Sequence, residues 1–249
     1  MKNRHSGTPS NIVYGVHAVT ESLQVNSGLE LYIQEDLRGK NLNQIKALAA
    51  AKQVTVSYRS KKELSDMTAG AVHQGFVLQV PEFSYTDFNS LLQKAQAAEN
   101  PLLLILDGLT DPHNFGSILR TADATNVCGV IIPKHRAVGV TPAVFKTSTG
   151  AAEHVPIARV TNLSQTIDKL KEQGFWIFGT DMTGTPVYDW RTEGKLALII
   201  GSEGKGVSPR LKKQVDEMIA IPMNGHVQSL NAGVAAGILM YEVFRRRLS

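Results

Sequence analysis

The sequence contains one cysteine, Cys128, among 249 residues. A single thiol excludes an internal disulfide, and with no Cys/His cluster there is no ligand set for a structural zinc. Cys128 lies inside an apolar run and reads as a small buried hydrophobe. Long hydrophobic stretches are missing too. Runs such as Leu102–Leu106 and Leu196–Ile200 fall far short of the roughly 20 residues of a bilayer-crossing helix. Nothing near the N-terminus has the pattern of a signal h-region. The expectation is a cytoplasmic protein with no membrane partner. Excess charge is modest: the formal net charge is +4, divided as +1 over residues 1–99 and +3 over residues 100–249. That permits a polyanionic partner without demanding one.

What is present is enough apolar material for a core. Hydrophobic residues make up 43% and charged residues 19%, which excludes a disordered or acidic-tail protein. The length suits a small domain followed by a larger one. Residues 1–10 read as a flexible tail. Residues 11–80 alternate helices near Gly15–Leu23, Asn41–Lys52 and Lys61–Met67 with strands over Leu29–Gln34, Val54–Tyr58 and Val72–Val80. Over residues 81–99 the composition shifts to Tyr, Asp, Asn, Gln and Ala, which marks a linker carrying one polar helix over Leu91–Ala98. From residue 100 to 249, apolar runs recur at Leu102–Leu106, Cys128–Ile132, Val155–Ile157, Phe175–Phe178, Leu196–Ile200 and Met218–Ile221. Hydrophobicity that is continuous within each run, with helical segments between most of them, predicts an α/β fold whose mostly parallel sheet is covered on both faces.

Ligands of such sheets bind beyond the carboxyl ends of the strands. That singles out the loops after Leu106, Phe178, Ile200 and Ile221. In the first, Asn114 is placed to cap the following helix. Arg120 lies well inside that helix, where its bland role is a surface ion pair with Asp123 one turn on. The loop GSEGKGVSP after Ile200 offers Ser208 as a cap and Pro209 as the first helical residue. Its glycines let backbone approach a ligand closely, but their spacing matches neither the dinucleotide nor the Walker pattern. Glu203 there reads equally as a solvated or a functional carboxylate. After Ile221, Ser229 or Asn231 can cap a last helix rich in small residues, and Arg245, Arg246 and Arg247 read as its solvated, dipole-matched end. His73-Gln74-Gly75 in the first module is either a turn that contacts RNA or a plain one.

Taken in order, DPHNFGSILRTADA, GSEGKGVSP and IPMNGHVQSLNAGVAAG resemble the three motifs of the SpoU, or TrmH-like, branch of the SPOUT RNA 2′-O-methyltransferases. The likeness extends through Lys146–Pro156, and the module containing Ala71–Gly75 resembles the family's L30e-like RNA-binding domain. Nearly the whole chain is covered, and the likeness is nearest to the RlmB type, which acts on a guanosine of 23S rRNA. The resemblance implies a C-terminal trefoil-knotted parallel-sheet methyltransferase domain, residues 100–249, preceded by a small L30e-like α/β domain, residues 11–80. It further implies a homodimer, RNA as partner, and S-adenosyl-L-methionine held in a bent form by the knot loops. On the matching positions, Thr180, Gly201, Ile221 and Leu230 correspond to cofactor contacts. Asn114, Arg120, Glu203, Ser229 and Asn231 correspond to the catalytic and substrate-facing set, and His73, Gln74 and Gly75 to RNA contacts. No metal is implied. One position departs: Gly233 stands where the family commonly has serine, which removes a hydroxyl.

Arg120 matches the family's proposed general base. Free arginine has a pKa of about 12.5, so deprotonation at pH 7 costs at least ~7 kcal/mol. The expected role is therefore to orient the 2′-hydroxyl and the adjacent phosphate and to stabilise developing negative charge. Asn114 and Glu203 are expected to hold the arginine in place, and Asn231 to steady cofactor or ribose. Two alternatives stand beside this reading: a tRNA-modifying member of the family, and a non-enzymatic RNA-binding or ribosome-assembly protein that keeps the fold.

Overall fold

A computed structural model describes residues 11–24, 28–226 and 229–248; the expected tail, residues 1–10, lies outside them. The described chain divides into two compact units. One comprises the residues up to Ser84 together with Val140–Lys146, and the other Tyr85–Gly139 and the chain from Thr147 onward.

The first unit runs β1 (Ile12–Tyr14), α1 (Val16–Gln24), β2 (Glu30–Gln34), α2 (Lys40–Ala51), β3 (Thr55–Arg59), α3 (Lys61–Met67) and β4 (Phe76–Gln79). Its sheet has the order β1-β4-β2-β3, with β2 and β3 parallel and β4 antiparallel to both its neighbours. Three-residue β1 holds too little pattern for periodicity to find. Side-chain alternation sorts the sheet into two faces. Leu31, Ile33, Phe76 and Leu78 pack with Val19 and Leu23 of α1 and Ile45 and Ala49 of α2. Tyr32 and Val77 meet Leu64 of α3 on the opposite face. A capping box starts α3: the Ser60 hydroxyl accepts from the Glu63 amide, and the Glu63 carboxylate accepts from the Ser60 amide.

There follow α4 (Phe88–Ala97), β5 (Leu102–Asp107), α5 (Pro112–Ala124), β6 (Gly129–Pro133), α6 (Pro142–Ser148), β7 (Ile157–Val160), α7 (Leu163–Glu172), β8 (Trp176–Pro186), β9 (Leu196–Gly201), α8 (Pro209–Lys212), β10 (Glu217–Ala220) and α9 (Ala232–Arg246). Each predicted apolar run forms or enters a strand, and all the pairings are parallel, in the order β10-β8-β9-β5-β6-β7. On one face Leu103, Ile105, Ile131, Ile177 and Ile199 pack with Leu91 and Ala95 of α4, Ile167 and Leu170 of α7, and Leu211 of α8. The helix expected within a polar linker thus seats two residues in this core.

On the other face α9 contacts β9 and packs along α5. A Cβ at Gly233 would lie 3.3 Å from the Cβ and Oγ of Ser117, and one at Gly237 3.8 Å from Thr121 Oγ1. Ser117 of α5 therefore crowds the space into which the family's serine would project, and the missing hydroxyl is exchanged for close helix packing. The end of α9 corrects the expectation of a solvated arginine triplet. Partly buried Arg247 donates to the carbonyls of Thr192, Asn100 and Gly194 at 3.0, 2.5 and 3.2 Å, and burial draws its pKa below the usual arginine value. Arg245 and Arg246 both grip Glu242, whose carboxyl these hydrogen bonds push down to about 2.

Candidate functional site

Strands β5 and β9 are neighbours at the sheet centre, but the chain leaves β5 toward β6 and leaves β9 toward β10 on the other side. Their carboxyl ends therefore frame a switch point, where open parallel sheets bind ligands. Asp107 pairs with Gly201 across it, and Asp107 Oδ2 accepts from the Ser208 amide at 2.8 Å. The loop between folds on itself, Ser202 and Gly206 exchanging backbone hydrogen bonds of 3.2 and 2.9 Å. A Cβ on Gly201 would collide with the main chain of Gly206 and Val207. The glycine expected to admit a ligand is required first by the loop's own backbone.

The cap of α5 is Asp111, not Asn114. The Asp111 carboxylate accepts from the amides of His113 and Asn114 at 3.2 and 3.0 Å, with Pro112 at the first helical position. Asn114 is therefore free to turn its buried amide toward the switch point. Its Nδ2 donates to Glu203 Oε1 at 2.9 Å, and its Oδ1 accepts from Asn231 Nδ2 at 2.8 Å. Asn231 Nδ2 also donates to Glu203 Oε1 at 2.8 Å, while its Oδ1 caps α9 through the amides of Gly233 and Val234 at 3.0 and 3.3 Å. An ionised carboxylate only accepts and the cap needs an acceptor, so both amide orientations follow from the network. The first turn of α5 and two loops, all distant in sequence, are closed into one ring.

Arg120 stands outside this ring. Six residues beyond Asn114 places it about 9 Å along α5 and about 120° around it. It is exposed, and among the described residues it has no hydrogen-bond or ion-pair partner. The expected restraint by Asn114 and Glu203 is corrected: those two hold Asn231. The bland pairing with Asp123 is not formed either.

Beside the ring opens a cavity of about 400 Å³. Thr180, Gly201, Ile221 and Leu230 line it, as do Glu203 and Ser229, with Ile200, Ile219 and Leu239 among its apolar residues. Asn114 and Asn231 do not line it, but both bond Glu203, which does. One wall comes from a register jump: Met218 opposes Gly179 but Ile219 opposes Thr185, so residues 180–184 bulge from β8 and bring Thr180, Asp181 and Met182 to the cavity. Gly184 permits this, because a Cβ there would strike the Met218 carbonyl. Asp181 forms an ion pair with Lys212, and that ammonium holds its carboxyl below the ordinary value. Asp181 and Lys212 both line the cavity and escape a reading of the sequence. Asp181 adjoins Thr180 and is within reach of such a reading, whereas nothing in the sequence marks Lys212.

The turn at residues 73–75 is of another kind. His73 is 5% exposed; its Nδ1 accepts from the Gly75 amide at 3.1 Å, and its Nε2 lies 3.3 Å from Ser65 Oγ. Burial lowers its pKa. Gln74 Oε1 accepts from the Val16 amide at 3.0 Å, at the start of α1. Gly75 has φ +82°, and a Cβ there would meet Leu37 at 2.7 Å. Of the two readings of this turn, a plain one and one that contacts RNA, the burial and hydrogen bonds of His73 accord with the plain turn, while Gln74 is exposed.

Both units match known families. Residues 101–241 match the SpoU rRNA Methylase family, and residues 12–86 match a family described as RNA 2′-O ribose methyltransferase substrate binding. A chain from Staphylococcus aureus (strain COL), named for the TrmH family of tRNA/rRNA methyltransferases, is 47% identical over 239 residues, covering 95% of this chain and 96% of the relative. YacO of Bacillus subtilis (strain 168), named for the same family, is 47% identical over 240 residues, covering 94% and 95%. Among solved structures, the SpoU methyltransferase AviRb from Streptomyces viridochromogenes in complex with AdoMet aligns with a TM-score of 0.64 at 25% identity, covering 100% of this chain and 95% of that one.

Proposed function

The chain belongs to the SpoU rRNA methylase family, and from that premise we propose that it methylates a ribose 2′-oxygen of RNA, on a guanosine of 23S rRNA, with S-adenosyl-L-methionine as donor. The observation that carries the reading is the Asn114–Glu203–Asn231 ring, with Glu203 reaching the cavity wall. The match of the first unit to a 2′-O ribose substrate-binding family supports the choice of atom.

The cavity suits the donor. Its volume lies in the range of small-molecule sites, and it sets apolar Ile200, Ile219, Ile221 and Leu239 beside polar Thr180, Glu203 and Ser229. Thr180, Gly201, Ile221 and Leu230 hold the cofactor, which when bound supplies an electrophilic methyl group on a sulfonium sulfur. Glu203, fixed by two side chains, and Asn231, fixed by two side chains and two backbone amides, keep the loops after β9 and before α9 in one register, so the reacting groups are held rather than gathered at each turnover. Unpartnered Arg120 meets the RNA: its guanidinium binds the phosphate beside the target ribose and donates to the 2′-oxygen as negative charge develops there, the proton leaving to water.

Two further parts of the reading rest on this unit. The trefoil knot is carried over from membership of the family. The homodimer accords with α9, which exposes Val234, Ile238 and Tyr241 at 52%, 39% and 58% on one face, an apolar stripe that a second copy covers. The setting is the cytoplasm.

The test is mass-spectrometric mapping of ribose methylation in ribosomal RNA and tRNA from cells with and without the protein. Loss of one 2′-O-methylguanosine from 23S rRNA is expected; loss from a tRNA instead reassigns the substrate, and no loss refutes the activity. With purified protein, Arg120→Ala should lower methyl transfer at least about 100-fold while calorimetric affinity for S-adenosylmethionine stays the same. Near-normal transfer removes Arg120 from the chemistry.

A further inference from the structure

A second cavity, of about 440 Å³, opens in the same unit beyond the carboxyl ends of β5, β6 and β7. Asp107 and Gly108, His135 and Arg136, Thr161 to Ser164, and Ser208 to Leu211 contribute its wall. It shares the loop after β9 with the first cavity: Ser202 to Gly206 face one, and Ser208 and Arg210 face the other.

The side chains here favour an anion. Arg136 and Arg210 are exposed, and among the described residues neither has a hydrogen-bond or ion-pair partner. His135 stands beside them. The one carboxylate in the wall, Asp107, is already engaged by the Ser208 amide at 2.8 Å. Asn162 is likewise committed, its Oδ1 accepting from the amides of Ser164 and Gln165 at 3.0 and 3.3 Å. The charged donors left for a ligand are the two guanidiniums, beside the His135 ring and the hydroxyls of Thr161 and Ser208. Arg136 moreover has φ +60°, an uncommon conformation for a bulky residue, at the bend that brings it to the cavity. Arg245, Arg246 and Arg247 are held by partners; here two arginines are left open in the wall of one concavity.

We propose that this cavity binds backbone phosphates of the RNA substrate outside the methylated nucleotide, Arg136 and Arg210 each taking a phosphate oxygen pair. It rests on the reading of the protein as an RNA methyltransferase. Guanidiniums suit this use because their planar fork matches two phosphate oxygens, and the engaged loop is the one that carries Glu203. RNA seated here is thereby coupled to the position of the catalytic ring.

The experiment compares wild type, Arg136→Ala/Arg210→Ala, and Lys94→Ala/Lys169→Ala, a control that removes the same charge from two exposed lysines elsewhere in the same unit. Binding of a fluorescein-labelled random 20-nucleotide RNA is followed by anisotropy across a salt series, with methyl transfer to 23S rRNA transcripts and calorimetric S-adenosylmethionine binding alongside. The arginine pair should weaken RNA binding at least about fivefold at 150 mM salt and flatten the log–log salt slope by about 0.7 for each phosphate left unneutralised. The KM for RNA should rise with kcat and cofactor affinity unchanged. Equal losses in the lysine control, an unchanged slope, or inorganic phosphate that protects the site without displacing RNA would each overturn the proposal. Transfer by wild type with no effect of the arginines sinks this proposal alone; arginine-dependent RNA binding without transfer to 23S rRNA sinks the 23S assignment alone.

Discussion

Both ring nitrogens of His73 and the Oε1 of Gln74 are committed to main-chain and side-chain partners inside the first unit, two of those bonds being from backbone amides at the turn and at the start of α1. Asn114, Glu203 and Asn231 bind one another across 89 and 117 residues of sequence, with only Asn231 Oδ1 turned to nearby backbone, and a cavity lies beside them. Both places are glycine-bordered turns rich in amide and ionisable side chains. The difference lies in what the polar atoms satisfy. A polar group that saturates nearby backbone fixes a turn, whereas side chains that bind side chains from other loops hold those loops in register at a surface where a ligand can enter. The identity of the partners, more than residue type, separates a structural turn from a site.

Asn231→Ala tests the comparison most severely. It removes the ring and the cap together, so methyl transfer should fall about 100-fold from misplacement of the reacting groups, and stability by about 1 kcal/mol from the missing cap. Transfer rates and chemical denaturation read the two effects separately; a stability loss with full activity would make the ring no more than a cap. Gly75→Ala should do the reverse. The positive φ and the contact with Leu37 should cost about 1–3 kcal/mol, while S-adenosylmethionine affinity and kcat, measured below the melting transition, remain those of wild type. The smallest effect is a titration. Burial lowers the pKa of His73 from 6.5, so the ring's contribution to stability is present above about pH 6.5 and is lost as the pH falls below it, because the unfolded chain then binds the proton first. Imidazole resonances followed by NMR should show His73 still neutral when exposed histidines are half protonated. A midpoint at or above 6.5 would return it to the surface.

Much of the architecture is legible in the sequence because burial on both faces writes itself as unbroken apolar runs: Leu102–Leu106 and Leu196–Ile200 become the two central strands almost residue for residue. Local competition blurs the rest. Asp111 and Asn114 both suit a helix cap, and only the structure shows that Asp111 takes the amides and leaves Asn114 for the ring. At His73 the sequence leaves a plain turn and an RNA contact equally open, because residue type alone does not show that the ring nitrogens have partners within the fold. The ring residues enter through family resemblance, since no periodicity connects positions so far apart. The bulge at residues 180–184 is hidden because a register jump leaves no mark on hydropathy.

The Arg247 clasp bears on how the domain acquires its shape. It joins Asn100, which precedes the first strand of the large sheet, to a helix end 147 residues away, so it can close only after every intervening strand has found its place. Contacts of such span are entropically slow to form. An Arg247→Ala protein should therefore assemble its sheet at close to the normal speed and come apart faster, shortening the lifetime of the native state.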